Sequence, residues 1–204
     1  MSRPVASSRA LVSIAGLLWA PWYFGMNAIG WGEPGTTAYA HYELYNRMAA
    51  VVLLLLIAAT EIAVRTLGTR LRRSGRVGGH VAAAGLAVMA AGSVMEFWLF
   101  SDASYQTGSL RGWGWGTYCI GLALFYGGTL AFGLALRHLP ELRPAGWLFA
   151  GWLPLAALLF GLGALTGLPL PALAPAVAAS GIAYVLLGLR LPAARAAMFE
   201  PATT

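Results

Sequence analysis

The chain has 204 residues, of which 59% are apolar and only 10% charged, and it carries a net charge of +6. A soluble domain has about 25% charged residues, so this composition argues against a water-soluble fold and for a surface that faces lipid. All thirteen basic residues are arginine and they sit between apolar runs without a stripe of interleaved stacking aromatics, which argues against nucleic acid as a partner; the absence of lysine excludes a Schiff base such as bound retinal.

A membrane-crossing helix needs about 20 mostly apolar residues. Six stretches qualify, near residues 10–30, 48–67, 81–100, 115–136, 146–166 and 172–189. The fold class expected is therefore all-α: a polytopic transmembrane bundle of about six helices, forming a single integral membrane domain over residues 1–204 with no soluble domain. The first stretch is too long for a cleaved signal peptide and reads as a retained anchor. Pro21 stands in its middle among Trp19, Trp22 and Tyr23, where it removes a backbone hydrogen bond and kinks the helix, and Asn27 lies further along.

The polar segment from Trp31 to Arg47 follows, with His41, Tyr42, Tyr45 and Asn46 at helical spacing, so a short interfacial helix acting as a lid is expected over Ala38 to Arg47. In the second stretch Glu61 precedes Arg65 by four residues, the favourable order for an ion pair on one helix face. It reads as a self-satisfied pair, with a proton or cation site as the sharper alternative. The third stretch carries Glu96 in Ser93-Val94-Met95-Glu96-Phe97-Trp98, with no basic residue within four positions. Ionisable groups inside a membrane are costly and pair or face a cavity, so its partner must come from another helix. Arg47 is nearest in depth, followed by Arg111 and Asn27.

Beyond it, Asp102, Tyr105, Gln106, Arg111, Trp113, Trp115 and Tyr118 add polar and aromatic groups at the same end. Much of this set suits an aromatic belt at the interface. The last two stretches carry no charge from Pro144 to Leu189 and read as packing or lipid-facing structure, with glycines suited to close helix contact. Gly167 to Pro171 is the whole connection between them, and a single re-entrant segment is the alternative there. With the N-terminus inside, eleven arginines fall on one side and only Arg47 and Arg111 on the other. The positive-inside rule then places both termini in the cytoplasm, in what reads as a prokaryotic cytoplasmic membrane.

Catalytic and metal motifs are thin. Ser180 has no histidine on the last two helices to activate it. His41, His80 and His138 share no zinc-site spacing, Cys119 is alone, and no metal site is expected. No cofactor can be named. Three functions remain. The first is binding or passage of a small molecule, ion or lipid through an outward polar cavity in helices one to four, lined by Glu96, Arg47, Asn27, Tyr118, Tyr45, His41 and Asp102. The second is a structural or accessory subunit of a larger membrane complex. The third is a membrane enzyme acting on a lipid or quinone head group through Glu96, Asp102 or His41. Membrane lipid, a small-molecule ligand and a partner membrane subunit are the partners these readings imply.

Overall fold

The computed structural model describes residues 8–19, 37–100, 109–166 and 174–196, and among them every regular element is helical. In chain order these are α1 (Ser8–Trp19), α2 (Thr37–Leu67), α3 (Arg73–Val94), α4 (Leu110–Leu136), α5 (Arg143–Thr166) and α6 (Ala174–Ala196). Four stretches, His41–Arg70, Arg73–Leu99, Leu110–Leu136 and Pro140–Leu159, are long and apolar enough to cross a membrane; the apolar parts of α1 and α6, Ser8–Trp19 and Ala178–Leu191, are shorter. Pro21, Asn27, Asp102 and the connection from Gly167 to Pro171 lie outside the described residues.

Two helices begin earlier than their apolar runs. The helical spacing expected from Ala38 to Arg47 is present, but as the opening turns of α2 and not as a separate lid. Nothing from Tyr39 to Met48 is a glycine or proline, so no residue there stops a helix. Asn46 also returns its amide to the Tyr42 carbonyl at 2.8 Å. The 31 residues of α2 rise about 46 Å at 1.5 Å per residue, well beyond a hydrocarbon core of about 30 Å.

Helix α3 likewise starts at Arg73, within a segment whose glycines suggest a loop. Each of those glycines faces a neighbour instead: Gly75 meets Ala135, Gly78 meets Ala131 and Phe132, and Gly79 meets Val64. Packing against α2 and α4 outweighs the roughly 1 kcal/mol by which glycine weakens a helix.

The closest helix contact is made by glycines. Gly78, Gly85 and Gly92 on α3 and Gly114, Gly121 and Gly128 on α4 each recur every seven residues, the repeat that keeps one seam facing a partner. The two sets meet in antiparallel pairs. A Cβ on Gly128 would lie 2.7 Å from the Gly78 carbonyl oxygen, one on Gly121 2.7 Å from that of Gly85, and one on Gly92 2.7 Å from that of Gly114. No side chain fits there, so the backbones touch.

Smaller versions of the same contact join α4 to α5, where a Cβ on Gly133 would lie 2.8 Å from the Gly146 oxygen, and α1 to α6, where one on Gly16 would lie 2.5 Å from the Gly181 oxygen. Phe125, Phe132, Phe149, Trp152 and Tyr184 fill the remaining core. The last hairpin is uncharged but not apolar throughout, as its sequence suggests. Trp19 Nε1 donates to Ser180 Oγ at 2.8 Å, the Thr60 and Tyr184 hydroxyls share a hydrogen bond at 2.6 Å, and Trp152 Nε1 donates to Thr129 Oγ1 at 3.0 Å. These bonds tie α5 and α6 to α1, α2 and α4.

Antiparallel succession gathers Arg9, Arg65, Arg70, Arg72, Arg73, Arg76, Arg137, Arg143 and Arg190 at one end of the helices. Arg47 and Arg111 are at the other.

Candidate functional site

At the end opposite the arginine cluster, α3 widens into a π-turn over Met95–Leu99, closed by the Phe100 amide donating to the Met95 carbonyl at 3.0 Å. Such turns insert a residue into a helix and recur at functional sites. Glu96 sits in this one and is 2% exposed. Its backbone rests on Gly114, the last of the seam glycines, where a Cβ would lie 2.8 Å from the Glu96 nitrogen. The carboxylate is also within electrostatic reach of Cys119, one turn further along α4. Glycine packing therefore draws a carboxylate into a place that a larger residue at position 114 would deny it.

Across the seam Arg111 is 4% exposed, with its guanidinium carbon 5.8 Å from the centre of the Phe97 ring. Among the described residues Glu96 and Arg111 are the two buried side chains of formal charge. Arg111 is fixed by the start of α4: Ser109 is the N-cap, its hydroxyl accepting from the Gly112 amide at 3.1 Å, which puts Arg111 in the first turn. Tyr42 meets the Phe97 ring edge-on at 5.8 Å.

The Glu96–Arg47 pairing expected from depth does not form. Arg47 pairs with Glu43, four residues back on α2, at 2.9 Å, and its Nε donates to the Phe97 carbonyl at 3.0 Å. Trp98 Nε1 returns a bond to the Arg47 carbonyl at 3.3 Å, and Ser93 Oγ donates to the Asn46 carbonyl at 3.0 Å. Arg47 thus clasps α2 to the π-turn through the Phe97 carbonyl. Reading residues 31–47 as a loop hides this pair, because the four-residue rule holds only on a helix.

The other expected residues divide. Tyr118 lies beside the site, half-buried and stacked on Trp115 at 5.8 Å, with its backbone against Gly92. Tyr45 is half-buried against the core. His41 is exposed and has no hydrogen-bond or ion-pair partner among the described residues, so it forms no acid–base pair with Glu96. Asn27 and Asp102 fall outside those residues.

Near the arginine-rich end, Glu61 and Arg65 form the expected pair at 3.5 Å, but a shorter contact joins them: His80 Nδ1 lies 2.8 Å from Glu61 Oε1. The match is legible from depth. Glu61 is six residues before the end of α2 and His80 seven after the start of α3, so both stand about 10 Å from the turn between them. Arg65 is 80% and His80 54% exposed, which makes the cluster an open ion-pair network and not a sealed site.

Among the described residues no group of three or more histidine, cysteine or acidic side chains is arranged to hold a metal. Comparison with protein-family models, curated proteins and solved structures finds no match to this chain.

Proposed function

We propose that this chain is a multi-pass integral membrane protein that crosses a prokaryotic cytoplasmic membrane six times, with both termini in the cytoplasm, and that binds a small molecule, ion or lipid at the outer end of α1 to α4. The observation that carries this reading is the burial of Glu96 in a π-turn beside buried Arg111. An ionisable group inside a membrane span is costly and is expected to pair or to face a cavity, and Glu96 is buried in the span at this end of α3. Glu96 is the main polar contact for the ligand, and Arg111 is the arginine beside it, since Arg47 is engaged by Glu43 and the Phe97 carbonyl. Tyr118, Tyr45, Asn27, Asp102 and His41 belong to the same end as secondary contacts.

The experiment is native mass spectrometry of the full chain purified in mild detergent, comparing wild type with Glu96→Gln. The reading expects a non-protein mass on the wild type that the variant loses. Two equally empty and equally stable proteins would reject it.

One observation favours a second reading, an accessory subunit of a larger membrane complex. Glu43, Glu61 and Glu141 are all locked in ion pairs, as expected where charges only fix a bundle. A stoichiometric partner chain copurifying with both wild type and Glu96→Gln would support it.

A further inference from the structure

We propose a second binding site at the arginine-rich end, in which Arg137, His138, Arg143 and Trp147 hold the phosphate headgroup of an anionic phospholipid. These four residues line an open cavity of about 410 Å³ where α4 turns into α5. Its cationic character comes from the way the one acid in the turn is used. Glu141 lies between Arg137 and Arg143 in sequence, yet its carboxylate is taken by Arg70 at 2.5 Å and its carbonyl accepts from Arg190 Nη1 at 3.2 Å.

With that acid engaged, Arg137, His138 and Arg143 have no carboxylate partner among the described residues, unlike Arg47, Arg65 and Arg70. Arg137 is held in place all the same, its guanidinium 4.4 Å from the centre of the Trp147 ring. A preset guanidinium with a second arginine and a histidine around one cavity is matched to a phosphate diester.

Position selects lipid over a soluble anion. Arg137 directly follows α4, Arg143 opens α5, and Trp147 is one turn inside α5 with 55% of its surface exposed. An indole at that depth sits at headgroup level, so a phosphate in the cavity leaves its acyl chains to run along α4 and α5. Basic pockets between helices on the cytoplasmic side are suited to anionic headgroups. The inference rests on the proposed membrane placement, but not on the Glu96 site.

The test is native mass spectrometry of the full chain in detergent, with phosphatidylglycerol and phosphatidylcholine supplied at equal concentration. Phosphatidylglycerol should be retained in preference. Arg143→Gln, which removes a side chain that makes no hydrogen bond or ion pair among the described residues, should weaken that retention about fivefold, and Arg137→Gln with Arg143→Gln about 25-fold. Arg72→Gln with Arg76→Gln removes the same charge from exposed positions and should leave it unchanged.

Equal retention of the two lipids, or an equal loss in the Arg72/Arg76 control, would overturn the proposal. So would displacement of the lipid by an equal concentration of glycerol phosphate, which would make the site one for a soluble anion. Matching thermal melts for Arg143→Gln and wild type separate a lost site from a lost fold. Recovery of the chain in the soluble fraction of cells would sink the membrane placement instead, and is read separately.

Discussion

Replacing Gly121 by alanine should separate the two helices that position Glu96. The new Cβ would lie 2.7 Å from the Gly85 carbonyl oxygen and closer still to the Met89 backbone nitrogen. These are backbone atoms that no rotamer change can move, so α3 and α4 must shift apart, an overpacking cost of about 1–3 kcal/mol. Gly127 supplies the control, because it is on the same helix and a Cβ there meets nothing within 4 Å. Both substitutions gain the same helix propensity, about 1 kcal/mol, and that gain cancels in the comparison.

Gly121→Ala should therefore be less stable than Gly127→Ala by the overpacking term alone, about 1–3 kcal/mol. The assay is unfolding by titrated denaturing detergent, followed by tryptophan fluorescence and circular dichroism. Gly85→Ala combined with Gly121→Ala should cost less than the sum of the singles, since one shift of the helices relieves both contacts. Superimposable curves for Gly121→Ala and Gly127→Ala would mean that α3 and α4 are not in backbone contact at Gly121.

Other interactions give smaller effects in the same titration. Tyr184→Phe removes the hydroxyl paired with Thr60 and should cost about 0.6–1.7 kcal/mol, with Thr60→Val adding little once Tyr184 is changed. Arg70→Gln breaks a half-buried pair with Glu141 and should cost about 1 kcal/mol; it should also lower phosphatidylglycerol retention, because the released carboxylate competes for Arg137 and Arg143. His80→Gln removes a contact that is largely exposed and should change stability by less than about 1 kcal/mol. A loss of several kcal/mol there would mean that Glu61 is a sealed site after all.

Helical class, approximate helix centres and the gathering of arginine at one end are all legible in the sequence, because long apolar runs and charge placement are strong signals. Helix starts are less so: α2 and α3 begin in polar or glycine-rich segments, where tertiary contact decides and local composition misleads. The seven-residue glycine spacing on α3 and α4 is a readable signal of close approach, but only once the two series are set against each other in antiparallel order. Glu96 stands out by its isolation from basic residues. That its neighbour in burial is Arg111 and not Arg47 depends on the Ser109 cap and on Glu43 reaching Arg47, which become visible only when both segments are known to be helical. The π-turn has no signature in the residues from Met95 to Leu99. Equally hidden is the engagement of Glu141 by Arg70, which joins two turns 71 positions apart.

The proposed orientation, with Glu96 at the outer end of the bundle and the arginine cavity at the inner end, is tested most directly by side-specific labelling of single cysteines. In a Cys119→Ser background, Thr36→Cys and Thr107→Cys should react with an impermeant thiol reagent on intact cells, while Ser74→Cys and Pro140→Cys should react only after permeabilisation. The reverse pattern would overturn the proposed orientation, turning the Glu96 end toward the cytoplasm and the proposed lipid site away from it.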